Sequence, residues 1–268
     1  MKKELLVASI CMLFLIISFS GCVEESVTAE EVKNMFLQAL EEINSYKHSS
    51  DSTITATTIN DTETNTTAMM HIATGEVDIL NKKLKQFFDI TYAGESKEEH
   101  MIVYIVDNVT YYGNRTNGNI TWTISHFFRS EVWNLYSQLE QLTIYLENET
   151  EIYNNSELKI LSDETFENVD CYVLQFKVTN NQSSDYSQIG GYYYVEMDVK
   201  YWISKDDNLL KKCRIASTSD SSGTYSFGDG NRFISVSEME VLFYDYNVPL
   251  NIVVPDEAKN SSWPYPNL

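Results

Sequence analysis

The sequence predicts an α+β domain that is mainly antiparallel β. Apolar and polar residues alternate over short runs that recur about every ten residues, a spacing typical of an antiparallel meander. Two stretches break this rhythm with apolar residues at helical spacing. Aromatic residues make up 13% of the chain, including 18 Tyr, and their large apolar bodies suit sheets with one buried face. A hydrophobic content of 43% over 268 residues is enough for a true core and argues against disorder.

The chain opens on an export signal. Lys2 and Lys3 precede an apolar run from Leu5 to Ile17, followed by Ser18-Phe19-Ser20-Gly21-Cys22. A basic region, an apolar region and small residues ahead of a cleavage point make such a signal. Cys22 directly after Ser20-Gly21 resembles the lipobox of prokaryotic lipoproteins. That resemblance implies cleavage before Cys22 and lipidation of it. An uncleaved anchor is the other reading, because the run is only just long enough to span a bilayer. Both readings put the remainder outside the cell and hold it to the membrane. The division is then a signal peptide over 1–21, a short tether over 22–27 and a domain over 28–268.

Thr28-Ala29-Glu30-Glu31 reads as a capping box. Val32, Met35, Phe36, Ala39, Leu40 and Ile43 follow at helical spacing, with Glu30, Lys33, Asn34, Glu41 and Glu42 opposite. This predicts an amphipathic helix from Ala29 to Tyr46. Strands are expected over 52–59, 66–74, 75–80 and 84–92. Met101 to Val106 is apolar on both faces and so reads as an inner strand. Thr110 to Tyr112 and Ile120 to Ser125 continue the pattern around a loop at 113–119. Val132, Trp133, Tyr136, Leu139 and Leu142 then recur at threes and fours, which predicts a second amphipathic helix over 130–146. Strands resume over 157–161, 169–179, 191–203, 209–217 and 233–246. Lys205-Asp206-Asp207-Asn208 is a turn. Pro249 and Pro255 close the domain ahead of a polar tail.

A formal net charge of -20, from 39 acidic and 19 basic residues, excludes nucleic acid as a natural partner, since a phosphate backbone calls for a basic face. It equally disfavours anionic lipid head groups as a docking surface. Nine Asn-x-Ser/Thr acceptors stand at Asn60, Asn65, Asn108, Asn114, Asn119, Asn148, Asn154, Asn181 and Asn260. In an exported chain this density points to N-glycosylation at some of them; plain Asn and Thr richness is the other explanation. His48, His71, His100 and His126 fall in no metal-ligand spacing. The sequence has no phosphate loop, nucleophile elbow or Cys-x-x-Cys. No cofactor, metal or enzymatic activity is therefore expected. Cys171 and Cys213 are the cysteines beyond the signal. The exported compartment favours a disulfide between them. Strands two apart in a meander lie too far apart for one. Both readings stay open.

The order of elements resembles the LolA/LppX-like lipoprotein carrier superfamily, as seen in archaeal exported lipoproteins. The matching pieces are the helix ending in Asn44-Ser45-Tyr46, the helix from Ser130 to Leu146, and Asp170-Cys171-Tyr172-Val173-Leu174. The hairpin from Tyr201-Trp202-Ile203-Ser204 to Leu209-Leu210 and Val253-Val254-Pro255 complete them. The likeness covers roughly residues 28–258. It implies a curved, incomplete β-barrel with amphipathic helices packed in its mouth and an apolar cavity between sheet and helices. Members with that cavity bind acyl chains. The residues that would line it here are Phe88, Ile90, Tyr172, Leu174, Phe176, Met197 and Tyr201. The expected partners are thus the membrane, through the lipid anchor, and a lipid or acyl-chain ligand. A cell-surface structural, interaction or sensor module, with the helices filling the barrel and no ligand, is the alternative.

Overall fold

The structure is a computed structural model that describes residues 27–60, 62–94, 98–116, 118–125, 139, 142, 143, 146, 156–184, 191–222 and 232–261. Its strands are β1 (Ser45–Ile59), β2 (Thr64–Asp78), β3 (Lys83–Tyr92), β4 (Glu98–Val106), β5 (Val109–Thr116) and β6 (Asn119–Ser125) in the first half. The second half holds β7 (Ser156–Ile160), β8 (Glu164–Phe166), β9 (Val169–Ser184), β10 (Gly191–Ser204), β11 (Leu210–Ser222) and β12 (Arg232–Tyr244). Among the described residues, two helices with defined bounds flank them, α1 (Ala29–Leu40) and α2 (Asp256–Lys259).

All twelve strands form one antiparallel sheet, curled but unclosed, in the order β6-β5-β4-β3-β2-β1-β12-β11-β10-β9-β7, with β8 paired to β9. Two meanders are thus joined along β1 and β12, from Lys47 opposite Tyr244 to Ile59 opposite Arg232. The pairing brings the first strand against the last, which local periodicity does not encode. The two 15-residue strands β1 and β2 are each ~50 Å long at about 3.3 Å per residue.

Helix α1 starts as its capping box predicts. The Thr28 hydroxyl accepts from the Glu31 backbone N–H at 3.2 Å, and the Glu31 carboxylate accepts from the Thr28 N–H at 2.8 Å. It ends earlier than expected, at Leu40, and Ser45 and Tyr46 already belong to β1. Tyr46 sits on the sheet's inner face, where its wholly buried ring gains more than a further helical turn would supply. Lys33, expected on the solvent side, is also buried. Its stem lies along apolar surface while its ammonium pairs with Glu30 at 2.9 Å. The second predicted helix falls mostly outside the described residues, but Leu139, Leu142, Thr143 and Leu146 are helical and buried. No helix among the described residues is long and apolar enough to cross a membrane.

Several strands run further than their apolar residues suggest. The segments 66–74 and 75–80 are one strand, β2, and β5, β9 and β11 continue into Ser/Thr/Asn-rich ends read from sequence as loops. Backbone pairing carries these polar residues, because the ladder satisfies N–H and C=O groups whatever the side chain.

The main core lies on the inner face and unites both meanders with α1. Val77, Leu84 and Ile105 share it with Leu174, Phe176 and Val241, and with Val32 and Phe36 from α1. Two smaller cores lie apart from it. One packs Ile252, Val254 and Ala258 from the C-terminal segment on Tyr104 of β4 and Trp122 of β6. Strand β4 is thus covered on both sides, which accounts for its unbroken apolar run. The other holds Cys171, Val173 and Trp202, with Phe166 of β8 beside them.

Cys171 and Cys213 are free and buried. Strand β10 separates their strands, and Cys213 belongs to the main core whereas Cys171 belongs to the smaller one beside β8. The disulfide favoured by compartment alone is therefore not formed, and the side chains sit in different cores two strands apart. Burial also raises both thiol pKa values. The expected result for residues 23–268 is no thiol labelling in the native state at neutral pH. Two labels should appear after unfolding without reductant. A single unreduced, label-resistant species would contradict this arrangement.

Candidate functional site

The inner face of the sheet is mainly apolar. Leu174, Phe176 and Tyr201 have no exposed surface, and Val77, Leu84 and Phe243 complete the floor. Hydroxyls are set into it. Ser50 and Ser52 are buried on β1 in the same rows as Leu174 and Phe176, and Ser217 and Ser237 hydrogen-bond to each other at 2.8 Å.

Six of the seven residues expected to line a cavity belong to the main core or pack against it, and they differ in depth. Leu174, Phe176 and Tyr201 are fully buried, and Phe88 and Met197 nearly so. Tyr172 is half-buried against the core, with the Lys205 ammonium 4.8 Å from its ring. Ile90 is half-buried. Helical residues meet this floor directly. The Tyr201 hydroxyl donates to the Leu142 carbonyl at 3.3 Å, and the Tyr46 hydroxyl accepts from the Leu139 N–H at 3.3 Å. Leu139, Leu142 and Leu146 are part of the main core.

A polar pair is set into the apolar floor. His48 on β1 is fully buried, and neither ring nitrogen has a hydrogen-bond partner among the described residues. Burial lowers its pKa to about 4, so the ring is neutral at pH 7. Aromatic rings surround it, with Tyr46 at 6.1 Å and Phe243 at 6.4 Å between centroids. Gln86 on β3 is likewise buried, with both amide atoms unpartnered among the described residues. Each such atom costs about 1–3 kcal/mol when it leaves water without a replacement bond.

Gly75 on β2 lies between the two. It pairs with His48 on one side and with Gln86 on the other. A β-carbon at Gly75 would collide with Nε2 of His48, so the imidazole lies over the glycine. Gly75→Ala is therefore expected to destabilise the domain by about 1–3 kcal/mol through overpacking. A urea titration would measure this. Adding His48→Ala should recover part of the loss, because the colliding ring is gone.

His71 is the other inner-face histidine. Its ring stacks on Phe88 at 5.2 Å and 11°, and burial lowers its pKa, with Asp89 opposing. Sequence reasoning set the histidines aside for want of a metal spacing. The missed signal was the position of His48, two residues after Tyr46, which puts both on one face of a strand.

Among the described residues, two concavities are lined elsewhere. One, of ≈ 400 Å³, is lined by Asp51, Thr53, Arg214, Glu238 and Glu240, and its charged lining suits water. The second, of ≈ 350 Å³, has Phe243 and Tyr246 in its wall beside Val169 and Lys211. Phe243 connects it to the ring cluster around His48. Among the described residues no group of three or more His, Cys, Asp or Glu is placed to hold a metal ion.

No known protein family matches the chain, and no curated protein does. Solved structures do match at low identity. An outer membrane lipoprotein-sorting domain is among them. It comes from Vibrio parahaemolyticus, is 13% identical, covers 83% of this chain and 95% of its own, and has a TM-score of 0.24. A DUF1329 family protein from Desulfovibrio piger is 9% identical, with the same coverages and a TM-score of 0.25. A β-barrel-like protein from Brucella abortus, of a domain of unknown function, is 11% identical. It covers 76% of this chain and 100% of its own, with a TM-score of 0.27.

Proposed function

We propose that this chain is an extracytoplasmic lipoprotein, anchored through Cys22, that binds a lipid or acyl chain on the inner face of its curled sheet. The observation that carries the reading is the unclosed sheet itself. Its two meanders both contribute to one buried, mainly apolar face, from Phe88 on β3 to Leu174 and Phe176 on β9. A curled sheet of this kind is filled by helices or by ligand. The binding residues would be Phe88, Ile90, Tyr172, Leu174, Phe176, Met197 and Tyr201, acting as bulk contacts.

The second reading is an interaction module with a filled interior. It is favoured by Leu139, Leu142 and Leu146, which already pack on that surface. Glycosylation would then shape the working surface. In support of surface glycans, Asn60, Asn65, Asn108, Asn114, Asn119 and Asn260 are exposed. Native mass spectrometry of the purified protein, with lipid extraction of the same sample, separates the readings. Acyl or isoprenoid species at near-stoichiometric amounts favour lipid binding. A protein that stays empty after incubation with membrane lipids favours the filled module.

A further inference from the structure

The inner face holds His48 and Gln86 where an apolar floor needs neither. Both are fully buried, and four polar atoms between them have no hydrogen-bond partner among the described residues. They stand on alternate strands either side of Gly75. The glycine leaves no side chain between them, and the imidazole leans across it. The surroundings are Tyr46, Val77, Leu84, Val103 and Phe243, all buried. A strand pair needs no such arrangement for packing, since a leucine at either place would fill the volume without unpaired groups.

We propose that His48 and Gln86 hold the hydroxyl group of a long-chain alcohol or hydroxyl-bearing lipid, whose chain lies along the apolar inner face. This rests on the lipid-binding reading above and names the chemistry of its ligand. A neutral imidazole has one donor and one acceptor, and a primary amide both donates and accepts. A hydroxyl donates once and accepts, so it can be served by both side chains together. A carboxylate or phosphate would need a buried cation beside it; the residues paired across from His48 and Gln86 are Phe243, Gly75 and Val103, which bring none, and the buried Lys33 of α1 is paired with Glu30. The ≈ 350 Å³ concavity meets the ring cluster of the pair only at Phe243, and the rest of its lining includes Glu167, Asp207, Lys211 and Asp245.

The test offers two probes of equal chain length. The full chain, purified in a detergent without hydroxyl groups, is given hexadecan-1-ol and hexadecane together in equal amounts. Each retained probe is then counted per protein by gas chromatography. Retention of the alcohol in about tenfold excess is expected, as a hydrogen-bonded head group predicts. Gln86→Leu and His48→Phe should each bring the ratio near unity, and Gln86→Leu should melt no lower than the parent, because it removes two unpaired atoms at similar volume. If His48→Phe does not fold, Gln86→Leu alone decides. Equal retention of both probes by the parent overturns the head-group site and leaves chain binding standing; a trapped water on these atoms would give that result. Retention of neither probe overturns both.

Discussion

Leu174→Asp is expected to unfold the domain, and Leu174→Ala to destabilise it by about 2–5 kcal/mol. Leu174 is fully buried on β9 between Tyr201 of β10 and Ile160 of β7. A carboxylate there would have no cation, and an unpaired buried charge costs several kcal/mol. Against a typical total of about 5–15 kcal/mol, that removes most of the stability. The aspartate variant therefore cannot report on ligand binding, whereas the alanine variant can. Urea titrations of parent and variant would give the loss directly. A loss below about 1 kcal/mol would mean that the neighbours collapse onto the truncated side chain or that the site is loosely packed. Extending the series to Phe176→Ala and Met197→Ala would map where the inner face is tightly filled and where it has room.

The meander was legible because side-chain alternation is a local property. Leu84, Phe88 and Ile90 announce β3, and the alternation from Tyr193 to Ile203 announces β10. The capping box at Thr28 was legible for the same reason, since its partners lie three residues apart. The β1–β12 seam was not, because it joins residues almost 200 positions apart with no covalent or motif signal. The small strand β8 escaped because Glu164-Thr165-Phe166 carries almost no pattern, and its identity comes from pairing with Val169 to Cys171. The apolar lining was readable as period, which assigns residues to a face of a strand. Depth was not readable. Period places Ile90 and Leu174 alike, and only the fold leaves one half-exposed and the other sealed. His48 was invisible as a site because its meaning comes from Gly75 and Gln86 on other strands.

Acidification from pH 7 to 5 is expected to cost the domain about 2 kcal/mol through His48 alone, at about 1.36 kcal/mol per pH unit below the unfolded pKa. The sign follows from proton uptake. The folded pKa is about 4 against an ordinary 6.5, so between these values the unfolded chain binds the proton and the folded chain does not. Stability therefore rises with pH through this window and falls on acidification, levelling off below the folded pKa. Burial is the cause, since the groups that face the ring are Tyr46, Phe243 and the backbone at Gly75, none of them a carboxylate. His71 acts in the same direction, its pKa also lowered by burial. The test is therefore a comparison of parent with His48→Phe, in which the His71 contribution cancels. Lowered carboxylates such as Asp207 and Asp220 lose their contribution at lower pH, below about 4, and leave the window clear. Urea midpoints at pH 7, 6 and 5 should fall more steeply for the parent than for the variant. Parallel slopes would mean that the ring finds water or a protonated-state partner in solution, and that the floor of the sheet is open around it.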